Sequence, residues 1–217
     1  LSWQTNKIKN AKLYVLGFIF ISIVILLQSY FSTFNTWGVV GLILGIWIIV
    51  ASLISILSSY KINYSFKILQ KINPHIAHIG VGIAIIGITC SSVFKNEFDF
   101  NISEGDKINI KNTKVSLEKI EITNQVNYQA LRANFLIHKG EKVVAKIKAG
   151  KNYYPVSKMI TTEAGIFHEW YRDIYFIVGD EKDNNWFVKI YVNPFVSFIW
   201  LGVLIMVISG FIGITKR

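Results

Sequence analysis

Four unbroken apolar stretches punctuate the chain: Leu13–Phe31, Trp37–Leu57, Pro74–Phe94 and Pro194–Ile214. None of them contains Asp, Glu, Lys or Arg. A helix needs about 20 apolar residues to cross a hydrocarbon core about 30 Å thick. A charge at the bilayer centre is costly, so each stretch predicts a transmembrane helix. Beyond Phe94 the pattern changes from continuous to alternating. Asp99–Ile102, Lys107–Ile110, Lys114–Ile122, Leu131–His138, Val143–Ala149, Ile174–Val178 and Trp186–Val192 read as strands. Ser103–Asp106 and Lys139–Glu141 read as turns, and Gly179–Asn185 as a hairpin loop. The expected architecture is a polytopic α-helical membrane protein: four transmembrane helices with a small antiparallel β barrel or sandwich between helices three and four.

Composition agrees, with 52% hydrophobic residues and a mean hydropathy of +0.42. The net charge of +10 acquires meaning from its position. Lys7, Lys9, Lys12, Lys61, Lys67, Lys71, Lys216 and Arg217 flank the spans with no acidic partner, whereas Lys95–Asn193 holds all thirteen acidic residues. Excess basic charge marks the cytoplasmic side of a membrane, not a nucleic-acid surface. Both termini are therefore expected in the cytoplasm and Lys95–Asn193 on the opposite side. The predicted division is a cytoplasmic segment 1–12, a transmembrane hairpin 13–57 (spans 13–31 and 37–57) and a basic loop 58–73. A transmembrane helix 74–94, the β-rich domain 95–193, a transmembrane helix 194–214 and a tail 215–217 follow. The chain opens on Leu rather than Met, as expected of a fragment.

Cys90 is the only cysteine, which excludes a disulfide framework and a C-x-x-C redox pair; it is expected as a small buried residue of the third span. That span begins Asn73-Pro74-His75-Ile76-Ala77-His78-Ile79-Gly80, where Asn73 is placed to cap the helix and Pro74 to occupy its first position. His75 and His78 fall on one side, His78 about one turn deeper. An ionisable residue inside a span is by default a functional candidate, and imidazole is an iron ligand through one ring nitrogen. The competing reading of both is an interfacial histidine bonded to a carbonyl or headgroup. A stripe of Gly80, Ala84 and Gly87, with Gly82 one turn above His78, suits either a flat macrocycle or a second helix. In the β domain, Glu163 is a candidate acid or base without a visible partner. Thr161, Thr162 and Asp173 are expected to form turns or cap helices, and His168 to be a plain surface residue.

Ala77-His78-Ile79-Gly80, Tyr154-Pro155, Thr161-Thr162-Glu163-Ala164, Arg172-Asp173-Ile174-Tyr175 and Tyr191-Val192-Asn193-Pro194-Phe195, in that order, resemble the C-terminal third of the CcmF family. These are the haem lyase subunits of cytochrome c maturation system I. The resemblance implies a b-type haem held between two transmembrane histidines. By its A-H-x-G context His78 matches the second of these as an axial ligand of the haem iron, and His75 matches none. It implies electron transfer to the iron of haem delivered by the chaperone CcmE, and attachment of that haem to apocytochrome c. It also implies association with CcmH and CcmI, a periplasmic β domain and a bacterial inner membrane, with the mitochondrial inner membrane as the alternative. The family's tryptophan-rich segment, its two outer-face histidines and its first transmembrane histidine are absent. The family often has basic residues where Asn193 and Ser197 stand here. The chain alone is therefore expected to be an incompetent part of a haem lyase. Its second ligand would come from the remainder of a CcmF-like chain or from another subunit. The rival expectation is a non-catalytic membrane scaffold whose β domain docks assembly partners.

Overall fold

A computed structural model describes positions 17, 21 and 25, then residues 35–60 and 67–214. The expected first span, Leu13–Phe31, lies outside the described residues apart from those three positions, as do Lys7, Lys9, Lys12, Lys61, Lys216 and Arg217. The chain divides into two compact units, Leu1–Phe94 with Pro194–Arg217, and Lys95–Asn193.

The first unit contains three described helices, α1 (Thr36–Tyr60), α2 (Lys67–Val93) and α3 (Val196–Ile214). Each is long and apolar enough to cross a membrane, over Thr36–Leu57, Ile72–Val93 and Val196–Ile214. Asn35 caps α1 through its side-chain oxygen, which accepts hydrogen bonds from the backbone N–H groups of Trp37 at 3.0 Å and Gly38 at 3.3 Å. The start of α2 corrects the expectation for Asn73 and Pro74. Helix begins at Lys67, so Pro74 is internal and Asn73 is not a cap. Proline removes one hydrogen bond to the carbonyl four residues back, and packing supplies Asn73 with another role. Its Nδ2 donates to the Ser209 carbonyl of α3 at 3.0 Å, and Ser209 Oγ lies 2.8 Å from the Asn73 carbonyl.

The helices approach closely where side chains are smallest. A Cβ on Gly82 would meet the Gly45 carbonyl oxygen at 2.6 Å, and one on Gly80 the Gly202 carbonyl oxygen at 2.7 Å. The glycines of α2 thus seat α1 on one side and α3 on another.

The second unit is a nine-stranded β-sandwich. Strands β1 (Asn96–Ile102), β9 (Asn185–Pro194), β8 (Arg172–Lys182) and β7 (Gly165–Glu169) form one sheet in that order. The other runs β2 (Lys107–Ile110), β3 (Thr113–Asn124), β4 (Gln129–Lys139), β5 (Lys142–Tyr154) and β6 (Met159–Glu163). Period-two alternation points Ala133, Phe135 and Ile137 of β4, Ile174, Phe176 and Val178 of β8, and Val188, Ile190 and Val192 of β9 into one core. Phe135 and Phe176 stack between the sheets with ring centroids 5.0 Å apart. In β3 the register shifts between Leu117 and Lys119. This bulge turns Ile120, rather than Lys119, toward the core after Val115 and Leu117.

Candidate functional site

On α2, His75 and His78 lie with ring centroids 6.5 Å apart and planes tilted by 40°. His78 is exposed and His75 half-buried. The exposed positions of α2 after Ile72 are Pro74, His78, Ile88 and Ser92, spaced to form one stripe along the helix. That stripe differs from the two faces that receive α1 and α3. The small-residue groove expected to fit either a macrocycle or a helix is filled by helices: Gly82 faces Gly45, while Gly80, Ala84 and Gly87 face Gly202 and Ile199. His78 lies outside the groove. It shares the exposed stripe with Pro74 and, further along, Ile88, whereas Ile85 packs toward Gly45 of α1. Among the described residues, no three His, Cys, Asp or Glu side chains gather to hold a bare ion.

In the sandwich, the motif residues occupy strands. Thr161 and Thr162 lie in β6 and Asp173 in β8, correcting their expected roles in turns and caps. Glu163 has partners that spacing did not reveal. Its Oε2 is 2.9 Å from Arg132 Nη2, and its Oε1 accepts a hydrogen bond from Asn152 Nδ2 at 2.5 Å. Arg132 also donates to Asn152 Oδ1 at 2.7 Å. This closed Arg–Asn–Glu network ties β4, β5 and β6 together. Tyr154 and Tyr128 lie 5.3 Å apart beside an open cavity of about 520 Å³ between the turns Gln125–Tyr128 and Pro155–Ser157.

Arg172 and Asp173 are both buried although they carry charge. Arg172 bonds the Glu169 carboxylate at 2.5 Å and the Thr113 hydroxyl at 2.5 Å, satisfying the buried guanidinium from two strands. His168 is exposed, as expected of a surface residue, and its Nδ1 stands 3.0 Å from the buried Asp173 Oδ1, an ion-pair distance without hydrogen-bond geometry. Burial, and after it the Asp173 carboxylate, pushes the Tyr175 hydroxyl above its ordinary pKa. His138 Nε2 pairs with Ser116 Oγ at 2.8 Å on neighbouring strands, a structural contact.

The missed residues are Arg132, Asn152 and Gly150, which lies between the first of them and Glu163. One signal was present, a glycine inside a strand pattern, which marks close approach by another group. The cross-strand register that turns it into a network is not written in any local pattern.

Fold and helices together define a membrane protein carrying a β-sandwich of a particular kind: residues 93–194 match the family described as the CcmF C-terminal beta-sandwich. The cytochrome c-type biogenesis protein ccl1 of Rhodobacter capsulatus is 34% identical over 143 residues, covering 65% of this chain and 22% of that protein. The cytochrome c-type biogenesis protein CcmF of Escherichia coli K12 is 28% identical over 214 residues, 95% of this chain and 32% of that one. A solved structure of cytochrome c haem lyase CcmF superposes with a TM-score of 0.73 over 92% of this chain and 34% of its own, at 11% identity, which establishes shared fold. The chain thus resembles the C-terminal part of CcmF proteins, its sandwich matching the family of their C-terminal beta-sandwich. It spans 22% and 32% of the lengths of these two relatives.

Proposed function

We propose that this chain is the haem-holding C-terminal part of a cytochrome c haem lyase component, with His78 as one axial ligand of a b-type haem. The observation that carries this reading is the position of His78 on the exposed stripe of α2, while the glycine stripe is consumed by helix packing. A ligand face must remain open to receive a porphyrin, and this one does. The opposite ligand comes from the remainder of a CcmF-like chain or from a second subunit, because one helix cannot reach both faces of a porphyrin.

In this reading His78 would hold the iron. Bound there, a b haem supplies one-electron exchange. Gly80, Gly82 and Gly202 position His78 by locking α2 between its neighbours. The four-span topology belongs to the same reading, with both termini cytoplasmic, residues 95–193 periplasmic and the whole in a bacterial inner membrane. So do its partners CcmE, CcmH, CcmI and apocytochrome c. The chain is not competent alone.

The test is a visible spectrum of the detergent-purified longest natural form, oxidised and dithionite-reduced, beside His78→Ala and His75→Ala. The expected result is a sharp reduced b-type band that is lost in the first variant and kept in the second. Equal retention in both removes the ligand assignment. An intact protein without haem transfers the reading to a scaffold whose β domain docks partners.

A further inference from the structure

The β-sandwich is polarised from end to end, and its strand order shows which end is which. β1 and β9 are antiparallel with Asn96 opposite Val192, so the chain enters and leaves the unit at one end of the four-stranded sheet. Two residues separate α2 from β1, and one separates β9 from α3. Both short connections to the helices therefore leave the sandwich from that one end.

β8 joins β9 through the Asp183-Asn184 turn at the far end, so β8 starts at the end with the connections. β7 is antiparallel to β8, with Glu169 opposite Arg172, which places the Trp170-Tyr171 turn there too. The Arg172–Thr113 hydrogen bond brings the start of β3, and with it the Lys111-Asn112 turn, to the same end.

The chemistry of this end is distinct. Trp170 is 74% exposed and packs edge-on against Tyr171, with ring centroids 5.4 Å apart. Hairpin tips facing water are usually built from Gly, Asn, Asp and Ser, and a bare Trp-Tyr tip leaves a large apolar surface hydrated. Lys95, Lys111, Lys139 and Lys142 adjoin this end with the exposed Glu141 among them, and its Glu169 is neutralised by Arg172. The far end instead presents Glu104, Asp106, Asp180, Glu181 and Asp183, with Lys107, Lys158 and Lys182 among them. Trp and Tyr favour the headgroup layer, where an apolar ring and a polar edge are both accommodated, and Lys favours anionic headgroups.

We propose that the Trp170-Tyr171 turn, flanked by Lys111, inserts into the headgroup region of the bilayer that the helices span, and so fixes the sandwich against the membrane surface. The occupant of this surface is lipid.

The test uses the full chain in nanodiscs containing anionic lipid, in a Cys90→Ser background, with a nitroxide at position 170. A second nitroxide at position 156 is the reference, because Val156 is 98% exposed at the far end. Power-saturation electron resonance compares collision with oxygen and with a water-soluble nickel chelate. The expected result is a several-fold lower nickel accessibility at 170 than at 156, with oxygen accessibility retained. Equal nickel accessibility at the two positions overturns the proposal. Low accessibility to both reagents at 170 overturns it as well, since that marks burial against protein. If the label at 170 disturbs folding, the same contact is read as the loss of brominated-lipid quenching between the wild type and Trp170→Phe. No difference between those two chains also overturns it.

Discussion

Arg132 and Glu163 stand on strands that are not neighbours, yet their side chains meet at 2.9 Å across β5. Gly150 makes this possible. It lies opposite both residues in the register, and a Cβ there would come 2.0 Å from the Leu131 carbonyl oxygen and 2.8 Å from Arg132 Nη1. Gly150→Ala is therefore expected to destabilise the protein by about 1–3 kcal/mol, because the backbone must move to admit the methyl group. Glu163→Gln keeps a hydrogen-bond acceptor for Asn152 and removes an ion pair whose carboxylate side is half exposed, a change of about 0–1 kcal/mol. Thermal unfolding of the full chain in detergent ranks the two. A Glu163→Gln loss equal to that of Gly150→Ala would show that the charge, rather than the space, dominates.

Asn73 and Ser209 are coupled across α2 and α3. Ser209 is almost fully buried, and its hydroxyl lies 2.8 Å from the Asn73 carbonyl and 2.9 Å from Asn73 Oδ1, so its single proton is shared or alternates between them. A double-mutant cycle of Asn73→Ala and Ser209→Ala, read by unfolding in denaturing detergent, is expected to return about 0.6 kcal/mol of coupling, with about 1.7 kcal/mol as the upper bound for such bonds in membranes. Strict additivity would mean that the two residues act independently.

Gly202 and Gly210 lie on one helix with opposite prospects. A Cβ on Gly202 would come 2.5 Å from the Gly80 carbonyl oxygen and 2.8 Å from the Ala84 Cβ, whereas one on Gly210 meets nothing within 4 Å. Gly202→Val is expected to push α3 away from α2 and lower detergent resistance markedly. Gly210→Val is expected to leave it almost unchanged. The same denaturing-detergent assay checks both variants, and similar behaviour would show that the close approach of α2 and α3 is dispensable.

What the sequence made legible follows from the range of each interaction. Continuous apolar runs located α1, α2 and α3, because burial in lipid imposes one requirement on every residue. Alternation located seven of the nine strands, including β8 and β9, whose inward residues repeat every two positions. β6 and β7 escaped because Met159–Glu163 and Gly165–Glu169 are short edge strands, and a Thr-Thr-Glu run looks the same in a cap, a turn or an edge. The hairpin between β8 and β9 is tighter than expected: only Asp183 and Asn184 leave the strands, both at positive φ, 52° and 60°. That geometry suits the right-handed twist of the flanking strands. Pro74 misled because its place inside α2 depends on packing against α3, which no local pattern records. At the candidate site, spacing put His75 and His78 on one side of a helix. Which of them faces outward is decided by where α1 and α3 sit.

Lys189 is tied to β1 by two carboxylates, Glu97 at 2.5 Å and Asp99 at 3.6 Å. The hydrogen bond from Lys189 holds the Glu97 carboxyl below its ordinary 4.5, with the Lys189 and Lys95 charges adding to it. The same bond, with the Asp99 charge, lifts the Lys189 ammonium above its ordinary 10.5. For Glu97, a depressed folded value means that its contribution is complete above 4.5 and is lost as pH falls through the folded pKa. For Lys189, a raised folded value means a contribution complete below 10.5 and lost as pH rises through the folded pKa. The pair therefore supports the contact between β1 and β9 throughout the neutral range and weakens at both extremes. Lys189→Met is expected to move the Glu97 titration midpoint upward, toward its ordinary value. Carboxyl-carbon NMR titration of the full chain in micelles, with labelled glutamate, measures it. An unmoved Glu97 midpoint would show that Lys189 is not what holds its charge.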